Sequence, residues 1–183
     1  WLNTLSFLEN MGARKIARSE HPTLVKEVML KHAAEEFRHA HYLKRQIKKV
    51  TAKDFETYSF ILGGCKTRRY FDALELKVVR ILKKLGVDLR LAYYFVTYAI
   101  ELRASEIYPL YDEILKKSGS RVLVRSIVLE EQDHLNEMVE EIRTHSFSEC
   151  VLNEVLPFEE ILFKEWLEAL NYDVTKLLEH TRK

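Results

Sequence analysis

The sequence predicts an all-α protein: a four-helix bundle joined by a long, partly helical crossover and followed by further C-terminal helices. Three observations predict it. Gly and Pro are scarce, five and three among 183 residues, and no alternation of apolar and polar residues lasts long enough for a strand. Apolar residues instead recur at three- and four-residue spacing over long stretches, the pattern of helices with one buried face. Two of those stretches carry the same pentapeptide frame, Glu35-Glu36-Phe37-Arg38-His39 and Glu130-Glu131-Gln132-Asp133-His134.

The first helix is predicted over about residues 2–18, with Leu2, Leu5, Ala13 and Ile16 on one face. Glu9 is the one acid on that stripe, and Gly12 beside it lets another group approach. Ser19-Glu20-His21-Pro22 reads as a stop followed by a start, because Pro is tolerated in a first turn. A second helix then covers about 22–49, its stripe passing through Val25, Met29, His32, Glu36, Ala40, Leu43 and Ile47. From Glu9 to the turn is ~16 Å of helix and from the turn to Glu36 ~21 Å, so the two acids lie at similar heights.

Residues 50–87 form the crossover, interrupted at Gly63-Gly64, ended at Gly86 and rich in packing aromatics (Phe55, Tyr58, Phe60, Tyr70, Phe71). A third helix spans about 88–117 and combines hydroxyls with a carboxylate: Tyr94, Thr97, Tyr98, Glu101, Ala104, Ser105, Tyr108. That face suits either a polar pocket or a subunit contact. Pro109 predicts a kink or break after Glu101. The fourth helix covers about 120–145, with Val124, Ile127, Val128, Leu135, Met138 and Ile142 around Glu131. Residues 147–156 and 157–182 read as one or two covering helices, with Phe158, Ile161, Leu162, Trp166, Leu167 and Leu170 as their apolar stripe. The expectation is one domain over 1–183, its bundle at about 2–145.

Residues three apart on a helix share a face, so Glu36 with His39, and Glu131 with His134, can grip an ion from one turn. An ionised carboxylate in an apolar stripe is costly unless a cation meets it. A single Glu-x-x-His is weak evidence, and an internal salt bridge is its plain alternative; two in matching contexts favour metal. Four carboxylates, from Glu9, Glu36, Glu101 and Glu131, and two imidazoles mix hard oxygen with borderline nitrogen, as two iron or manganese ions require. His32, one turn from Glu36, is read as a core histidine with ligation the alternative, and Glu106 as a reserve ligand. Cys65 and Cys150 have no metal spacing and predict free thiols in a reducing cytoplasm. A formal charge of +1 makes no electrostatic case for nucleic acid, and no apolar run predicts a membrane span. The chain opens on Trp1, which leaves room for residues upstream.

The order Glu, Glu-x-x-His, long crossover, Glu, Glu-x-x-His resembles the ferritin-like di-iron carboxylate superfamily over about residues 2–145. The resemblance implies Glu9, Glu36 and His39 on one ion and Glu101, Glu131 and His134 on the other, with Glu36 and Glu131 bridging. Many oxygen-activating members carry acid-Glu-x-Arg-His. Residues 35–39 match it, which would place Glu35 and Arg38 behind the ligands. The second copy has Asp133 where Arg is common. The four-Cys module usual in rubrerythrins is absent from this sequence, and the crossover is longer than in bacterioferritin-like cages. The resemblance thus implies a di-metal oxidoreductase, with two Fe ions (Mn the alternative), that activates O2 or peroxide to oxidise a small organic substrate using an electron donor. Tyr94, Tyr98 and Tyr108 are the candidate catalytic tyrosines. A homodimer is one expected assembly, iron or peroxide handling is the second reading, and a metal-free helical interaction module is the third.

Overall fold

Each apolar stripe of the sequence becomes the inward face of a helix. The computed structural model describes residues 1–51 and 56–181, so Phe55 lies outside the described residues. Six α-helices run through them: α1 (Leu2–Ser19), α2 (Glu27–Val50), α3 (Gly64–Leu85), α4 (Ala92–Lys117), α5 (Arg125–Arg143) and α6 (Ser148–Thr181). No strand occurs among the described residues, and none of their helices is long and apolar enough to cross a membrane.

α2 starts five residues later than the position of Pro22 predicts. The His21 ring causes the delay: its Nδ1 accepts the backbone N–H groups of Thr23 and Leu24, both at 3.2 Å. The chain then stays extended to Lys26 (φ −79°, ψ 135°). Val25 consequently falls outside the helix and is 42% exposed rather than part of the stripe.

Among its described residues, the crossover contains one long helix, α3. Gly63 precedes α3 at φ 75°, a conformation glycine adopts without a steric cost. A Cβ there would come within 2.6 Å of Thr67 Oγ1. α3 ends at Gly86 (φ 68°), where the N–H groups of Gly86 and Val87 close back on Lys83 and Leu82, a left-handed helix stop. α3 is long enough to span the bundle, as it must be because α2 and α4 run parallel. Ser6 Oγ donates to the Ala40 carbonyl between antiparallel α1 and α2. Lys31–Glu137 (2.7 Å) and Arg38–Glu130 pair antiparallel α2 and α5.

α4 runs through Pro109 without a break, so of the predicted kink or break the second does not occur. One lost backbone hydrogen bond is a local cost, and Tyr108 and Leu115 anchor the helix in the core on both sides of it. The C-terminal segment is likewise one helix, because Pro157 is absorbed within α6. Four of the six residues of its predicted stripe face inward. Trp166 and Leu170 are buried, Phe158 and Leu162 pack partly, and Ile161 and Leu167 face solvent. α6 lies against α3 and α4 rather than over the whole bundle. Buried Glu159 ties it there, accepting from Arg103 Nε at 3.0 Å and Nη2 at 2.7 Å and from the Tyr70 hydroxyl.

The apolar core is divided along the bundle axis. Besides a cluster of Leu62, Tyr70, Trp166 and Leu170 where α6 meets α3, one part gathers Met29, Ala33, Leu74, Val78, Phe95, Met138 and Val151; the other gathers Leu2, Leu5, Leu43, Ile47, Val124 and Ile127. Between them in sequence position, on α1, α2, α4 and α5, lies a layer of buried acids and imidazoles.

Candidate metal centre

That layer contains the six predicted ligands, all buried: Glu9, Glu36, His39, Glu101, Glu131 and His134. The imidazoles of His39 and His134 stand 6.1 Å apart, centroid to centroid. The residues form two groups, in each of which one ligand atom per residue lies within 4.8 Å of the others: Glu9, Glu36, His39, Glu131, and His32, Glu36, Glu101, His134. Glu36 belongs to both, while Glu131 groups with His39. His32, read from the sequence as a core histidine, joins the second group.

The chain orients each imidazole from behind. His39 Nε2 donates to Glu130 Oε2 at 2.7 Å, and His134 Nε2 donates to Glu35 Oε2 at 2.8 Å. The leading Glu of each motif thus serves the histidine of the other, across the α2–α5 contact. This exchange was not legible in the sequence, which shows only that the acids precede the ligands. Arg38 holds Glu130 in turn; Asp133, its counterpart by spacing, is exposed. Fixing Nε2 outward leaves Nδ1 of both rings facing the centre. His39 Nδ1 lies 3.1 Å from Glu131 Oε1 and 3.5 Å from Glu9 Oε2, and His134 Nδ1 lies 3.5 Å from Glu36 Oε1.

Five buried atoms in this centre have no hydrogen-bond partner: Glu36 Oε1, Glu101 Oε2, Glu131 Oε1, His39 Nδ1 and His134 Nδ1. Buried polar atoms are rarely left so, and here all five belong to groups able to bind a metal. The donor set therefore fits a pair of dications, which four carboxylates would neutralise.

Without ions the electrostatics are strained. Burial, with neighbouring carboxylates adding, pushes Glu36 and Glu131 well above the usual range, and burial with the Glu9 charge brings Glu101 to about 7. Burial also works against the His39 cation, but the nearby carboxylates of Glu131 and Glu9 carry it up to about 12. His134 goes the other way, to about 3, through burial and then the nearby His32 and His39. Glu9 alone is lowered, burial being outweighed by His39. The His39 cation faces three carboxylates, Glu130, Glu131 and Glu9, at 2.7, 3.1 and 3.5 Å, a single positive charge among several buried acids.

A cavity of about 390 Å³ between α1, α3 and α4 reaches Glu9, Glu36, Glu101 and Glu131 but none of the histidines. Leu5, Leu8, Ile16, Val96, Ile100 and Ile107 are among the apolar residues lining it. Gly12 leaves the wall open at Glu36, whose Oε2 would stand 3.5 Å from a Cβ placed there. Of the three tyrosines singled out, Tyr108 lines the cavity and donates to Glu9. Tyr94 instead accepts from Lys26 Nζ at 2.6 Å, and Tyr98 packs on the core; neither lines the cavity. Tyr93, which sequence reasoning passed over, lines it and bonds His32. Glu106 is no reserve ligand in this arrangement: it pairs with Arg103 at 2.5 Å on the surface.

No protein-family model matches the chain, and no match was found among curated proteins or solved structures.

Proposed function

We propose that the chain binds two transition-metal ions, iron with manganese as the alternative, in a ferritin-like four-helix setting. It uses them to oxidise an organic substrate with O2 or peroxide, drawing electrons from a separate donor. The observation that carries this reading is a mainly apolar cavity ending on buried carboxylates whose ligand atoms lack partners. Bound there, a redox-active pair would supply the electron transfer to O2 that no side chain of the site can perform.

The chain's own residues do the rest. Glu9, Glu36, His39, Glu101, Glu131 and His134 would hold the ions. Glu130 and Glu35 keep each Nε2 protonated, so that each Nδ1 lone pair points inward. The apolar lining excludes water and favours an apolar substrate. Tyr108 holds one Glu9 oxygen by donating to it, leaving the other oxygen towards His39. Because the cavity reaches the carboxylates and none of the histidines, substrate approach is from the carboxylate side. That access favours an oxidase or oxygenase over iron storage.

Elemental analysis after anaerobic Fe(II) loading, followed by exposure to O2, tests the reading. Wild-type protein should hold two equivalents tightly and consume O2; the double variant Glu36→Ala, Glu131→Ala should hold neither while keeping its helicity. Wild-type protein without tightly bound transition metal would refute it. A closed shell that mineralises many Fe(II) per chain would move it to iron handling.

A further inference from the structure

The two halves of the centre are related by spacing. Adding 95 turns Glu35, Glu36 and His39 of α2 into Glu130, Glu131 and His134 of α5. Under the same relation His32 corresponds to Ile127, which is a plain core residue, 1% exposed. The departure falls inside the centre itself.

His32 is fully buried. Its Nε2 lies 3.1 Å from Glu101 Oε1 and 3.6 Å from Glu36 Oε1. Its Nδ1 is bonded to Tyr93 Oη at 2.9 Å. Its ring is 3.9 Å from that of His134, centroid to centroid, and His134 Nδ1 faces the same two acids at 3.5 and 3.8 Å. Donors about 2.1 Å from one ion stand roughly 3.0–3.4 Å from each other, close to these separations. A core histidine serving only as a hydrogen-bond bridge would satisfy its surroundings, yet Glu101 Oε2 and His134 Nδ1 remain without partners.

We propose that His32 is a seventh ligand and that the two ion positions are unlike: a nitrogen-rich one from His32, His134, Glu101 and shared Glu36, and an oxygen-rich one from Glu9, Glu131, His39 and shared Glu36. Tyr93 is its positioning residue, accepting from Nδ1–H so that Nε2 is free to ligate. This rests on the two-ion reading above and deepens it. Imidazole-rich sites suit iron, cobalt or zinc, and carboxylate-rich sites suit manganese. The centre is therefore built for stepwise loading and accommodates a mixed pair.

Titration of the ion-free protein with Co(II), followed by its visible absorption, tests this. Wild type should fill in two steps at least tenfold apart in affinity, the nitrogen-rich position first. His32→Ala should weaken the first step more than tenfold and leave the second intact. Tyr93→Phe should weaken the same step by roughly 10–100-fold, the usual effect of losing a partner behind a ligand. Should His32→Ala fail to fold, the Co(II)-loaded wild type decides alone by NMR. Three exchangeable, hyperfine-shifted imidazole N–H signals are expected, from His32, His39 and His134. Two ions bound with only two such signals, or His32→Ala titrating like wild type, overturns the proposal while leaving the two-ion reading standing. No Co(II) binding by wild type overturns both.

Discussion

Replacing Glu101 by Gln should stabilise the ion-free protein and weaken the metal-loaded one. Glu101 is 3% exposed, and burial with the Glu9 charge lifts its carboxyl from 4.5 to about 7. The sign follows from proton linkage. The folded state holds this proton more tightly than the unfolded chain, so the group costs nothing below about pH 4.5, and stability falls as pH rises towards 7. Above 7 the full cost is present, about 3 kcal/mol at ~1.4 kcal/mol per pH unit. Gln keeps the shape and can still accept from His32, but it cannot ionise. In chelator at pH 8, Glu101→Gln should melt higher, by roughly 6–12 °C at ~2–4 °C per kcal/mol for a chain of this size. At pH 4.5 the two proteins should coincide. With saturating Fe(II) or Mn(II) the order should reverse, because the variant has lost an anionic ligand and gains less from binding. Differential scanning calorimetry in the four conditions reads all of this. A variant less stable than wild type in chelator at pH 8 would refute the reasoning, since it would mean that the carboxylate is already compensated within the ion-free protein.

Other perturbations separate the site from its supports. Glu130→Ala removes the acceptor of His39 Nε2 and of Arg38, so metal affinity should drop roughly 10–100-fold with circular dichroism unchanged; unaltered affinity would show that the acid does not orient the ring. Gly12→Ala places a methyl in ordinary contact with Glu36 and should stabilise α1 by about 1 kcal/mol in urea unfolding at unchanged metal stoichiometry, whereas destabilisation would mean Glu36 needs that space. Arg103→Ala strips buried Glu159 of its cation and should cost about 3 kcal/mol or more in the same assay; a loss below ~1 kcal/mol would show that Tyr70 alone suffices.

The legible parts of the chain were those with a period. Helix faces followed from three-four spacing, and the common depth of Glu9 and Glu36 followed from counting rises along the first hairpin. Errors arose where a local rule met a neighbour. Pro22 signals a helix start, but the His21 ring captures the amides that would begin it. Pro109 signals a break, but the buried residues flanking it hold the helix together. Ile161 and Leu167 belong to an apolar stripe wider than the groove between α3 and α4 can cover. Tyr94 shares a face with Glu101, but a shared face does not specify depth, and its hydroxyl accepts from Lys26 rather than meeting the cavity. Tyr93, one residue earlier, points to His32. His32 carried a readable signal, being four residues before Glu36 and seven before His39, but only the three-dimensional spacing separates a ligand from a core histidine.

The approximate duplication also explains why the centre has an open side. α2 and α5 carry the paired motifs and lock against each other by exchanging acids behind the histidines. That exchange fills the space between them with side chains, Arg38 and Lys31 adding further pairs to Glu130 and Glu137. α1 and α4 contribute one acid each, so their turns beside Glu9 and Glu101 are free to hold small residues, Gly12 and Ala104, which both line the cavity. The crossover must traverse the bundle because α2 and α4 are parallel, and it packs against α1 and α4. It therefore roofs the cavity without filling it. The difference between the halves falls on the same axis: Glu101 meets His32, whereas Glu9 meets the Tyr108 hydroxyl at a position that the 92-residue step from Glu9 to Glu101 pairs with Ile16. Equal halves would give two equal ions and no preferred direction for a substrate. Placing the extra imidazole at one end and the hydroxyl beside the cavity at the other would give the proposed pair a chemical polarity, with Glu36 shared between its ends.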